Sequence, residues 1–243
     1  MYDALIIGAG MSGLAAGIRL AMFGQKVCLL ERHYAVGGLN SYYRLNRRNY
    51  DVGLHALTNF APRGAKQGPL PRLLRQLRVS WDDLELAEQI GSEIQFPSAR
   101  LRFTNAPGLL EAEIDRVFPA ERDNYRRLLK QLLDYDQLTR ADATESARQI
   151  LAKTFSNPLL AEMLICPVLF YGGAREHDLD WGSFSVLFRA IFLEGLARPR
   201  GGIRVILKQL VRRFKELGGE LRLRAGVRRI IQHESRAVGV ELN

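Results

Sequence analysis

A chain of 243 residues, 47% hydrophobic and 25% charged, has a globular composition that excludes collagenous, low-complexity and disulfide-stapled classes. Its formal net charge is +9, carried by arginines such as Arg72, Arg75, Arg126, Arg127, Arg212 and Arg213 that are scattered along the chain. Scattered arginine without an aromatic–basic module argues against nucleic acid as a partner and leaves solvated helix faces or a membrane surface as the readings.

In chain order, Ala4-Leu5-Ile6-Ile7 is a continuous apolar run, expected to be a strand buried on both faces of a parallel sheet. Gly8-Ala9-Gly10-Met11-Ser12-Gly13 is a GxGxxG turn, and residues 14–23 read as a helix that Gly24 ends. Residues 26–31 form a second strand closing on Glu31, with Cys28 as a small core residue. This is a β-α-β unit. The three glycines serve different ends. Gly8 turns the chain out of the strand, Gly10 leaves room for a pyrophosphate, and Gly13 lets the helix lie close to the sheet. Ala9 and Ser12 complete the loop, and the helix N-terminus offers free N–H groups to phosphate. Glu31 can accept hydrogen bonds from both hydroxyls of an adenosine ribose, and would repel a 2′-phosphate.

A second glycine pair, Gly37-Gly38, follows Arg32 and His33. A simple NAD site has no need of it, whereas an FAD site needs a second close backbone approach beside the pyrophosphate and ribityl chain, where Asn40 or Ser41 could donate. Residues 41–52 read as a hairpin, 70–77 as a helix, and 93–96 with 100–104 as a second hairpin across Pro97-Ser98-Ala99. Residues 109–138 are helical in pattern, with a break at Phe118-Pro119. More helices fill 146–196, where Phe184, Phe188 and Phe192 recur every fourth residue on one face. That face reads as packed core, as an apolar tunnel, or as a face that docks at a membrane. After Gly201-Gly202 the pattern returns to helix (203–217) and strands (220–223, 227–232, 237–242).

The expected fold class is therefore α/β: a Rossmann-like FAD-binding parallel sheet split by a mainly helical insertion. Residues 1–68 and 198–243 are assigned to the FAD-binding domain and 69–197 to the substrate-binding insertion. Cys166 and Cys28 have no paired spacing, which points to a reducing, cytoplasmic setting with a peripheral membrane position left open. No secretory signal is visible, and the apolar runs near 159–171 and 183–196 are interrupted by Glu162, Pro167, Arg189 and Glu194. No metal-ligand cluster is legible.

Residues 6–14, Leu30-Glu31-Arg32 and Val36-Gly37-Gly38 resemble the FAD-binding start of the amine-oxidase and phytoene-desaturase superfamily. Tyr50-Asp51-Val52-Gly53-Leu54-His55 resembles the aromatic-Asp-x-Gly-x-His stretch of phytoene desaturases, carotenoid isomerases and retinol saturases. Arg198-Pro199-Arg200-Gly201-Gly202, the stretch 217–223, Val227-Arg228-Arg229-Ile230 and 237–242 follow the same pattern. The resemblance covers both ends of the chain strongly and the middle loosely. Leu39 stands where the family usually has an arginine soon after the glycine pair. The family pattern continues past Asn243 with a Gly-Asp motif, so the chain reads as an N-terminal portion, expected to leave sheet edges open.

The resemblance implies FAD as cofactor, held by Gly8, Ala9, Gly10, Ser12, Gly13, Glu31, Arg32, Gly37, Gly38, Asn40 and Val227. It implies a hydrophobic isoprenoid substrate such as a carotenoid or retinoid, undergoing desaturation, isomerisation or saturation. It places His55 near the flavin, as a proton carrier or a pocket-shaping group. Two other readings stay open: a flavin amine oxidase or protoporphyrinogen oxidase relative, and a non-catalytic prenyl-lipid carrier of the GDP-dissociation-inhibitor type.

Overall fold

The computed structural model describes residues 1–53, 56–135, 145–171 and 175–243. His55 lies outside the described residues. In chain order the elements are β1 (Ala4–Ile7), α1 (Met11–Met22), β2 (Val27–Leu30), β3 (Tyr42–Leu45), β4 (Arg48–Asp51), α2 (Pro69–Leu77), β5 (Leu86–Glu88), β6 (Ser92–Phe96), β7 (Ala99–Phe103), α3 (Pro107–Val117), α4 (Arg122–Leu133), α5 (Ala147–Thr154), α6 (Pro158–Leu169), α7 (Trp181–Phe188), β8 (Ala197–Pro199), α8 (Arg204–Glu216), β9 (Glu220–Arg222), β10 (Val227–His233) and β11 (Arg236–Leu242). They form two compact units. One comprises Met1–Ala56, Arg63–Ala87 and Arg198–Asn243; the other comprises Leu57–Pro62 and Glu88–Ala197.

The first unit is built on a parallel sheet ordered β1-β2-β9. Central β2 is wholly buried, because strands flank both of its edges. Helix α1 must lie very close to β1, because a Cβ on Gly13 would come 2.1 Å from the Gly8 carbonyl oxygen. Helix α8 packs on α1 through Phe214, whose ring leaves no room for a Cβ on Gly17. The hairpins β3–β4 and β10–β11 each turn through two residues in the left-handed region, Asn46-Arg47 and Glu234-Ser235.

The expectation that β1 is buried on both faces is corrected. Leu5 and Ile7 are 36% and 52% exposed, while Ala4 and Ile6 are half-buried. The continuous apolar run of β1 therefore meets neighbours on one face only, and β1 is an edge strand of the described sheet.

The second unit is mainly helical. Its core centres on aromatics of α7 and the turn after it: Phe184, Phe188 and Phe192 are fully buried, with successive ring centroids 5.5 and 4.6 Å apart. Phe103 of β7 meets Phe192 edge-on at 4.9 Å. This face is packed core, since rings in mutual contact leave no channel between them. α7 runs on into a π-turn at Arg189–Leu193. There the Asn59 N–H donates to the Ala190 carbonyl at 3.2 Å, and Leu57 and Ala197 exchange both backbone hydrogen bonds.

Two buried carboxylates organise this unit. Glu113 of α3 binds the Arg116 and Arg102 guanidinium groups and the Arg102 N–H. Its pKa is lowered to about 2, first by the Arg116 hydrogen bond, against the opposing effect of burial. Burial pushes the Glu121 pKa up, but hydrogen bonds from Ser156, Asn124 and the Asn157 N–H outweigh it and lower it overall.

Candidate functional site

The loop Gly8–Gly10 joins β1 to α1 within the first unit. Its entry is tied to β2, where the Gly8 N–H donates to the Leu30 carbonyl at 2.7 Å. Its middle is tied to the acid at the end of β2, where the Ala9 N–H donates to Glu31 Oε2 at 2.8 Å. The other carboxylate oxygen, Oε1, accepts the His33 N–H at 2.9 Å. Glu31 is thus buried and held in one orientation, and each oxygen keeps a lone pair for a ligand hydroxyl.

The second glycine pair is brought onto the first. The Gly37 N–H donates to the Ala9 carbonyl at 2.8 Å, and Gly10 and Gly37 form a parallel bridge. Gly37 is in the left-handed region with φ 119°, and a Cβ there would press Leu207 and the Ser41 nitrogen at 2.8 and 2.9 Å. A Cβ on Gly38 would come within 3.6 Å of the Gly10 Cα, so the two loops lie together.

By contrast, nothing lies within 4 Å of the place a Cβ would take on Gly8 or Gly10. The loop therefore presents an open face. Gly10 caps α1 without any side-chain hydrogen bond, so the first-turn N–H groups, including those of Ser12 and Gly13, remain for an anion. The residues fit a dinucleotide: an open glycine face for the pyrophosphate, an uncapped helix start, and a fixed carboxylate for ribose.

Arg32 is exposed beside Glu31. The returning segment runs alongside: Ala225 N–H donates to the Glu31 carbonyl at 2.8 Å and Arg224 N–H to the His33 carbonyl at 3.1 Å. This brings Val227, the first residue of β10, near the Glu31–Arg32 stretch. Asn40 closes a short 3-10 turn that begins at Gly38, with its N–H on the Gly37 carbonyl at 2.9 Å. Gly53 lies against it, since a Cβ there would be 3.0 Å from Asn40 Oδ1.

One pairing has no signal in the sequence. The side chain of Asp51 is covered in an ion pair with Arg204 of α8, and Arg198 stands 4.0 Å away. Gly202 makes room for this carboxylate, because a Cβ there would be 2.6 Å from Asp51 Oδ2. The pair links positions 153 residues apart, and no local pattern announces it. Among the described residues, no His, Cys, Asp and Glu group could hold a metal ion, and no helix is long and apolar enough to cross a membrane.

The fold and the loop define a dinucleotide-binding α/β protein. The model of the flavin-containing amine oxidoreductase family matches residues 11–243, and the chain belongs to this family. The cofactor of that family, and the one these residues fit, is FAD. Prolycopene isomerase 2 of an Oncidium hybrid cultivar is 22% identical over 273 residues, covering 100% of this chain and 46% of that protein. All-trans-retinol 13,14-reductase of Danio rerio is 25% identical, covering 99% of this chain and 44% of that protein. The lycopene-forming phytoene desaturase of Pseudescherichia vulneris is 25% identical, covering 100% and 53%. The chain spans about half the length of these curated relatives. In fold it is similar to an oxidoreductase from Methanosarcina mazei, with a TM-score of 0.67 at 18% identity over 98% of this chain and 55% of that one. It is also similar to a Rab GDI from Plasmodium falciparum, with a TM-score of 0.59 at 15% identity over 99% of this chain and 62% of that one.

Proposed function

We propose that the whole protein is an FAD-dependent oxidoreductase acting on an isoprenoid polyene of the carotenoid or retinoid class. The observation that carries this reading is the joined pair of glycine loops, with Gly37 bound to Ala9 and Ala9 bound to Glu31. The substrate class rests on the relatives, whose names are those of a prolycopene isomerase, a retinol reductase and a phytoene desaturase.

In this reading the segments 1–68 and 198–243 hold FAD, and the helical region 69–197 takes the substrate. Bound FAD supplies the hydride chemistry, which no side chain can perform. The chain's own residues bind and orient. Gly8 and Gly10 admit the pyrophosphate, Gly13 keeps α1 close to β1, and Ser12 stands at the helix start. Glu31 holds the ribose hydroxyls, and Arg32 and Val227 flank the adenosine end. Gly37, Gly38 and Asn40 line the approach to the ribityl chain. Asp51, locked to Arg204, anchors the start of the stretch that leads to His55. His55 is assigned a proton-transfer role, on the resemblance of the 50–55 stretch alone.

The test is the visible spectrum of the purified whole protein, followed by anaerobic mixing with polyenes in detergent. A yellow protein whose flavin spectrum changes on adding a carotenoid or retinoid supports the reading. A protein that stays colourless after FAD is supplied overturns the oxidoreductase assignment and favours a lipid carrier. A yellow protein that responds to amines but not to polyenes overturns the substrate class.

A further inference from the structure

The β3–β4 hairpin is patterned the wrong way round for a core-facing ribbon. Its register pairs Tyr42 with Asp51, Tyr43 with Tyr50, and Leu45 with Arg48. The Val52 N–H on the Ser41 carbonyl extends the ladder. Alternation puts Tyr42, Arg44, Asn49 and Asp51 on one face, and Tyr43, Leu45, Arg48, Tyr50 and Val52 on the other. The polar face is the inner one: Asp51 pairs with Arg204, whose guanidinium also lies 5.4 Å from the Tyr42 ring centre. The apolar face is the outer one. Tyr43, Leu45, Tyr50 and Val52 are 48, 55, 39 and 54% exposed, and the two tyrosine rings stack at 5.3 Å. Strands usually keep their apolar set inward, so this inversion presents a rigid aromatic-aliphatic face outward.

The charge at the tip has one sign. Arg44, Arg47 and Arg48 are exposed and have no ion-pair partner among the described residues. Lys208 and Lys215 of α8, in the same unit, line a groove of about 430 Å³ together with Tyr42 and Arg204, on the inner side of the hairpin.

We propose that the outer face of the β3–β4 hairpin docks on a bilayer containing anionic lipid. Tyr43, Leu45, Tyr50 and Val52 enter the headgroup boundary, and Arg48 on the same face and Arg47 at the turn meet the lipid phosphates. A bilayer answers both features at once, because interfacial tyrosine takes an apolar body and a wet hydroxyl while arginine takes phosphate. A protein partner would instead have to bring carboxylates to two arginines beside an apolar centre. The inference extends the isoprenoid reading, since such substrates dissolve in membranes.

The experiment is co-sedimentation of the FAD-loaded whole protein with phosphatidylcholine vesicles, with and without phosphatidylglycerol. Binding is expected only with the anionic lipid, weakening with salt. Arg47→Gly is the informative variant, because glycine suits the left-handed turn position and the hairpin survives. It should weaken vesicle binding about five-fold, the effect of one arginine at a charged surface. Arg72→Gln on α2, an equal loss of charge elsewhere, should leave binding unchanged. Tyr43→Ser should weaken binding at unchanged charge. Absence of wild-type binding, or equal losses for Arg47→Gly and Arg72→Gln, overturns the proposal. Turnover of a polyene in detergent needs no bilayer, so failure of docking and failure of the redox assignment read out separately.

Discussion

The backbone N–H of Ala9 donates to Glu31 Oε2 at 2.8 Å, so the phosphate loop and the ribose carboxylate are one hydrogen-bonded object. Glu31→Ala removes the acceptor for both the Ala9 and His33 N–H groups and the ligand for ribose. A hydrogen bond to a charged group contributes about 1.5–3 kcal/mol, so FAD affinity should fall roughly ten- to hundred-fold. Quenching of flavin fluorescence by the whole protein measures this. Unchanged affinity would remove Glu31 from the site.

Gly10 and Gly13 separate binding from folding. Gly10 has φ −70° and open space where a Cβ would stand, so Gly10→Ala should leave urea stability unchanged and weaken FAD by about ten-fold or more. A Cβ on Gly13 would meet backbone, the Gly8 carbonyl oxygen at 2.1 Å, and backbone cannot swing aside. Gly13→Ala should therefore cost about 1–3 kcal/mol of stability even without FAD. Equal stability of the two variants would contradict the close packing of α1 on β1.

The FAD-side features were readable because they are local. An apolar strand, a glycine turn, a helix and an acid at the next strand end occupy consecutive residues, and each acts where it stands. The hairpins 42–51 and 92–103 were readable from alternation and turn residues for the same reason. What escaped is what depends on distant neighbours. Asp51 looks like a loop acid until Arg204 is folded against it. The four-residue recurrence of Phe184, Phe188 and Phe192 says which face they share, but not whether rings or a ligand fill it.

Glu113 makes the helical unit acid-sensitive. Its folded pKa is lowered to about 2 from the ordinary 4.5, chiefly by Arg116, with Arg102 adding to it. A depressed folded pKa contributes stability that is present above the unfolded value and is lost as pH falls through the folded one. Stability should therefore decline between about pH 4.5 and pH 2, in step with protonation of this carboxylate. Glu113→Gln should cost roughly 2 kcal/mol near neutrality, by loss of hydrogen bonds to charged groups, and should flatten the decline. Urea unfolding at a series of pH values reads both effects. A variant that keeps the full acid slope would assign the slope to other carboxylates.

The uncovered face of β1 makes a prediction about association. Leu5 and Ile7 pair in register with Cys28 and Leu30, and share their face of the sheet. Cys28 and Leu30 are buried, packed against Ala225, Val227 and Val240, but Leu5 and Ile7 are exposed at the edge of the sheet. An apolar edge strand is a template for pairing with another chain. The 243-residue chain should therefore bind a hydrophobic dye and self-associate with rising concentration. Ile7→Lys puts a charge at an already exposed position, so its stability change should stay within about 0.5 kcal/mol. Dye binding and association should both fall, because a lysine on the edge opposes strand addition. Sedimentation velocity of the two proteins at matched concentration decides it: an unchanged oligomer distribution would mean that another surface drives association.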